Sequence, residues 1–276
     1  MGLRINQNTM ATTAHRNLTI SDGMLTKSME KLSSGFRINR AADDAAGLAK
    51  SEKLRADIRG INQAVKNAQD GISFVQTAEG SLDEVHAILQ RMNELAVSAA
   101  NTATSDGTAE QQEMTELLKQ VDSIGNSTKF AGKAVFSATA VTFQVGAGSA
   151  DTIQVTTQGL SSTAVVNSTG GSSVDLSALN LTTGASAAID TIRSAIDNVN
   201  DMRANLGANQ NRLEHTITNL QVTTENLQAS ESRIRDLDIA SEMVSFTRHQ
   251  IMVQAGTDML AQANSVPQSV LQLLRG

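Results

Sequence analysis

The chain has 276 residues, 22 Lys+Arg against 28 Asp+Glu for a formal net charge of −6, and no Cys, Trp or Tyr. The missing Cys excludes disulfides, thiolate metal sites and a Cys nucleophile, and an acidic chain without a basic block argues against nucleic acid and anionic membranes as partners. Six Phe are the only aromatics, so the core must be aliphatic, and the single Pro, Pro267, leaves room before it for very long helices.

The first ten residues, Met1–Met10, contain no apolar h-region, so no secretory leader is expected. Asn6 stands where N-myristoylation needs Ser or Thr. No run of about 18 apolar residues exists, so no spanning helix is expected. On these grounds the protein is soluble and cytoplasmic, unless it leaves by a route that needs no cleaved leader.

In chain order, Leu18, Leu25, Met29, Leu32 and Phe36 form an apolar stripe of heptad type, interrupted by Ser33–Ser34–Gly35. A second helix is predicted over about Asp43 to Ala100, with Asp43 and Asp44 in its acidic first turn. Its seam reads Val75, Ala78, Leu82, Val85, Leu89, Met92, Ala96 and Ala99. Ile72, Ile88 and Leu95 widen that stripe; left uncovered in a monomer, they would signal assembly. A shorter helix carries Met114, Leu117, Leu118, Val121 and Ile124, with Gly125 as its stop.

From Ser137 to Gly184 there is no Lys or Arg, and Ser, Thr and Gly dominate. Thr142–Val145 and Thr152–Thr156 alternate in the strand period and are joined by Gly146–Asp151, which predicts a β-hairpin. Phe130–Phe136 is a candidate to pair with it, and Val165–Asp175 a candidate mobile loop. The strongest periodicity then runs Ile189, Ile192, Ile196, Val199, Arg203, Leu206, Gln210, Leu213, Ile217, Leu220, Thr224, Leu227, Glu231 and Ile234, apolar at ten of fourteen steps. A last helix, Ile239 to Asn264, shifts its seam to Met243, Phe246, Val253 and Leu260, and Leu271 follows in an apolar tail.

These elements predict a mainly α chain: a long coiled-coil bundle formed by both chain ends, with a small central β-hairpin region. Motifs for chemistry are missing. His15, His86, His215 and His249 show no metal-ligand spacing. Gly146–Ala147–Gly148 lacks the remainder of a nucleotide loop, and neither G-x-S-x-G nor H-E-x-x-H occurs. No catalytic residue, metal or cofactor is assigned.

Several long stretches resemble bacterial flagellin. They are Ile5–Asn8, Lys31–Asn39, Ala41–Ala49 and Leu89–Val97 at one end, and Ser232–Asp236, Gln254–Thr257 and Leu260–Gln268 at the other. The resemblance covers roughly 1–136 and 186–276, and centrally only Thr142–Gly146. It implies a structural subunit that polymerises into the flagellar filament for swimming motility, outside the cell. In it, residues 1–42 with 236–276 would form an inner-tube coiled coil, disordered in the free monomer. Residues 43–235 would form the outer tube, with the short β region 137–184 in place of a large outer domain. Export would use the flagellum's own secretion channel without a cleaved signal.

Implied partners are other copies of the chain, an export chaperone at the C-terminal helix, and the filament cap and hook-junction proteins. Leu18, Leu25, Leu32, Phe36, Ile239, Phe246, Leu260 and Leu271 are the candidate self-assembly residues. Arg91, Leu95 and Glu113 match positions that the flagellin-sensing Toll-like receptor reads in many flagellins. The alternatives are a hook–filament junction protein, which shares similar ends, and a protease-bearing flagellin, which the short insert and missing H-E-x-x-H disfavour.

Overall fold

The computed structural model describes residues 7–101, 107–137, 139–162, 164–165 and 174–275, with side chains to Val266 in the last helix. The elements are α1 (Thr9–Ser34), α2 (Ala45–Ala99), α3 (Thr108–Ser127), β1 (Lys129–Phe130), β2 (Lys133–Ala134), β3 (Val141–Gln144), β4 (Thr152–Val155), β5 (Leu160–Ser161), β6 (Ala164–Val165), α4 (Leu181–Arg235) and α5 (Ile239–Arg275). The chain is mainly α, as its periodicity predicts. It divides into one unit of residues 1–56 with 226–276 and a second of residues 57–225.

In the second unit the long helices carry the core. Every α2 seam residue from Val75 to Ala99 is buried. The predicted α4 seam positions from Ile189 to Thr224 are buried or half-buried here, as are Leu227, Glu231 and Ile234 in the first unit. Ile192, Val199 and Leu206 join the α2 seam in one apolar cluster, to which α3 adds Met114, Leu118 and Val121. The polar seam residue Arg203 is kept there by an ion pair to Asp83 at 2.7 Å.

The predicted hairpin forms, with Phe143 opposite Ile153 and Val141 opposite Val155. It lies on a strip of α2 made of small residues. A side chain at Gly60 would press on Ala147, and one at Gly71 on Leu213 and Phe143. Asn67 Nδ2 donates to the Gln144 carbonyl at 3.0 Å and fixes the strand end on the helix. Phe74 packs edge-on to Phe130 at 5.9 Å and against Phe143 at 5.8 Å.

Several expectations are corrected. Phe130–Phe136 does not join the hairpin; β1 and β2 pair with each other. Gly125 does not stop α3 but lies within it, buried, because a Cβ there would collide with the Leu160 carbonyl. Asp43 and Asp44 precede α2 rather than forming its first turn: Asp44 Oδ1 accepts from the Gly47 N–H at 2.9 Å, and Asp43 Oδ2 from the Asn39 and Arg40 N–H groups. The wider α2 stripe is not left bare either. Leu95 is 5% exposed, and Ile72 and Ile88 are half-buried against the core. The proposed loop Val165–Asp175 falls largely outside the described residues; its ends, Val165 and Val174, are bridged.

Candidate assembly surface

In the first unit, α1 and α5 pack together, from Asn8 against Ala263 at one end to Lys31 near Glu242 at the other. Helix α1 is fixed at both ends by local chemistry. Asn8 accepts from the Ala11 N–H at 3.0 Å as N-cap and donates to the Ala263 carbonyl of α5 at 2.8 Å. Gly35 closes the helix in the left-handed conformation (φ 73°), its N–H returning to the Lys31 carbonyl.

Between these caps Ala11, Ala14, Leu18, Ser21, Leu25, Ser28 and Leu32 turn inward at steps of three and four. The facing seam is Phe246, His249, Val253, Gly256, Leu260 and Ala263. At Gly256 an added Cβ would stand 3.1 Å from Leu18 Cδ1, so the missing side chain sets how closely the helices approach.

A two-helix contact has only one line of closest approach. The small Ser21 and Ser28 on it are 6% and 4% exposed, while Leu18, Leu25, Leu32, Phe246 and Leu260 stay half-buried. Outside the seam the helices carry uncovered apolar side chains: Met10, Ile20, Met24 and Met29 on α1, and Ile239, Met243, Val244, Ile251, Met252 and Met259 on α5. A groove of about 710 Å³ runs along the pair past Met10, Leu18, Met252 and Met259. A second groove on α5 lies among Met243, Val244 and Ile251. Apolar surface of this extent marks an interaction site.

Two predicted seam residues lie elsewhere. Met29 is 54% and Met243 46% exposed, because the true seam passes through Ser28 and through Phe246 and His249. Phe36 is not on α1 at all. Gly35 ends the helix, and Phe36 bridges Asp236 with its ring under the Arg235 guanidinium at 4.6 Å. Arg37 donates to the Ile234 carbonyl at 2.6 Å, and Arg235 to Glu52 at 2.8 Å, so this corner is a polar clasp between chain ends. Arg235 holds the Glu52 carboxyl below its usual range. Asp43 is lowered to about 2, chiefly by its hydrogen-bonded Lys27 partner at 2.7 Å. Ile239 begins α5 and is 59% exposed. The Leu271 side chain lies outside the described residues.

Arg91 and Glu113 are brought together. Arg91 Nε donates to Glu113 Oε1 at 2.8 Å and Nη1 to Glu94 Oε2 at 3.1 Å. Glu113 first, then Glu94, raises the Arg91 pKa above its ordinary value. Leu95 is buried in the core, 5% exposed. The small seam residues Ser21, Ser28 and Gly256 do not stand out in an apolar pattern. Their signal was a period of seven in small rather than apolar residues.

Among the described residues no group of three or more His, Asp or Glu could hold a metal ion, and no helix is long and apolar enough to cross a membrane. The first unit thus pairs terminal helices that carry uncovered apolar faces, and the second unit holds the buried helical core. Comparison with known proteins gives the family. Residues 5–141 match the bacterial flagellin N-terminal helical region, and residues 189–274 the bacterial flagellin C-terminal helical region. A flagellin of Halalkalibacterium halodurans is 50% identical over 98% of this chain and 99% of its own length. A flagellin of Bacillus subtilis is 46% identical over 99% of this chain and 100% of its own. The flagellar filament 33 kDa core protein of Treponema phagedenis is 45% identical over 98% and 99%. The chain belongs to the bacterial flagellin family and is a structural subunit of the flagellar filament, not an enzyme.

Proposed function

We propose that this flagellin builds its filament through the α1–α5 pair, with residues 1–42 and 236–276 as the inner tube and 43–235 as the outer tube. One observation carries this reading: the apolar side chains left uncovered in the first unit lie on α1 and α5. Leu18, Leu25, Leu32, Phe246 and Leu260 hold the pair together and, being half-buried, gain further cover from neighbouring copies. Ile239 docks directly on a neighbour, Leu271 takes part in self-assembly, and Phe36 orients the ends through the Arg235 clasp. Each large aliphatic side chain taken fully from water contributes about 1.5–3 kcal/mol. Terminal helices that complete their burial only in the polymer hold back premature assembly.

The same uncovered faces need protection before assembly. An export chaperone on α5, passage through the flagellar secretion channel without a cleaved leader, and folding under a filament cap next to the hook-junction proteins answer that need. The exposed Arg91–Glu113 pair, with Leu95 on the same helix as Arg91, is the surface offered to the flagellin-sensing Toll-like receptor. A receptor reporter-cell assay with Arg91→Ala and Glu113→Ala tests this; responses equal to the unaltered protein refute it.

Assembly is tested by electron microscopy of depolymerised subunits after addition of salt or filament seeds. Long uniform tubes are expected. Persistent monomers or short caps from protein with intact ends would favour the junction-protein alternative, against which the match to filament proteins over nearly the whole chain weighs.

A further inference from the structure

The methionines divide sharply between the two units. Met10, Met24 and Met29 on α1 are 65%, 48% and 54% exposed, and Met243, Met252 and Met259 on α5 are 46%, 48% and 64% exposed. Met92, Met114 and Met202 of the second unit are 0%, 0% and 3% exposed. The chain has no Cys, Trp or Tyr to compete for an oxidant, so thioether sulfur is its most readily oxidised group, and solvent access decides which sulfurs react.

We propose that the six methionines of α1 and α5 form an oxidation-sensitive surface. A peroxide oxidant converts the free subunit there into a form that assembles poorly, and incorporation into the filament protects it. The inference rests on the assignment of these faces to subunit contacts. Each event moves one oxygen atom. The sulfur lone pair attacks a peroxide oxygen, the O–O bond breaks as the S–O bond forms, and a proton shift leaves methionine sulfoxide and water. Sulfur is oxidised and peroxide reduced, with no further reactant.

The product no longer suits its surroundings. Met10, Met252 and Met259 line the groove beside Leu18, Ala14, Ala255 and Ala263. A sulfoxide oxygen is a strong hydrogen-bond acceptor that must give up water when a second copy closes over the apolar part of this groove, even though Thr9, Thr13, Asn17, Ser21 and Gln262 share its lining. Met252 also borders the second α5 groove, so its oxidation alters both.

The test treats purified full-length subunits and preformed filaments with hydrogen peroxide, maps each methionine by peptide mass spectrometry, and measures seeded growth. In free subunits the six terminal-helix methionines should oxidise at least about tenfold faster than Met92, Met114 and Met202, since accessibility governs the rate. Growth should fall by a similar factor, and methionine sulfoxide reductase should restore it. In filaments the six should be protected. A variant with all six changed to Leu should grow equally before and after peroxide. If that variant does not grow untreated, reductase rescue of the unaltered chain decides. Oxidised subunits that grow at the untreated rate overturn the inference while leaving the assembly surface standing. Equal oxidation in subunits and filaments overturns the protection. Untreated subunits that never grow overturn the assembly reading itself.

Discussion

Leu206 of α4 and Leu25 of α1 both occupy steps of a heptad, yet their surroundings differ. Leu206 is 2% exposed in a cluster fed by α2, α3, α4 and the short strands. Leu25 is half-buried, on the helix that packs against α5. Residues 57–225 have enough elements to surround their apolar stripes. Residues 1–56 with 226–276 contribute a helix pair whose outer faces keep their methionines and isoleucines in solvent. A heptad therefore does not fix how much burial it obtains; the number of neighbouring elements does. The less complete region is the one a polymer can complete.

Truncation gives the largest separation between the two. Deleting residues 255–276 removes Gly256, Leu260 and Ala263 from the seam and should abolish stable filaments in electron microscopy. Circular dichroism should still show cooperative unfolding of the remaining core. Normal filaments from the shortened chain would contradict the assignment.

Next in size, Leu206→Ala should cost about 2–5 kcal/mol of stability in the free subunit, the usual result of emptying a closed core site. Leu25→Ala should barely move the same thermal transition but should slow seeded growth. Equal losses in the two melts would erase the difference between the regions.

At the helix contact, Gly256→Val should cost about 1–3 kcal/mol through overpacking against Leu18. Gly256→Ala should be close to neutral, because a Cβ 3.1 Å from a flexible Leu tip is offset by the better helix propensity of Ala. Filament yield against subunit concentration reads both, and a Val variant with unaltered yield would show that close approach is not required.

The smallest effect concerns acid. The Asp43 carboxyl is lowered to about 2 in the folded chain, chiefly by Lys27. A lowered carboxyl stabilises the fold above its unfolded value of about 3.9, and that contribution fades as pH falls toward the folded value. Lys27→Ala should bring the Asp43 titration, followed by carboxyl carbon NMR, back toward the ordinary range. An unchanged titration would assign the shift to the Asn39 and Arg40 N–H groups instead.

Most of the fold was legible because long helices repeat their signal many times. The fourteen α4 steps all turned inward, polar Arg203 included, since its ion pair to Asp83 is reached along the same face. The hairpin was equally readable from its alternation. Single residues were less so. Phe36 fits the stripe by spacing, but Gly35 in the left-handed conformation takes it off the helix. Gly125 resembles a stop, yet it is a point of close approach to Leu160, a long-range neighbour that local pattern does not reveal.

By itself the sequence determined the helical frame, the central hairpin, the absence of cysteine chemistry and the family resemblance, all carried by local periodicity or contiguous motifs. Tertiary structure alone decided which apolar stripes are covered. Ile72, Ile88 and Leu95 look in sequence like a spare surface, but the core closes over them. Met29 and Met243 look in sequence like seam residues, but they stand 54% and 46% exposed among the described residues. Burial depends on what stands opposite a side chain, and for residues far apart in sequence only the folded chain brings that partner into place.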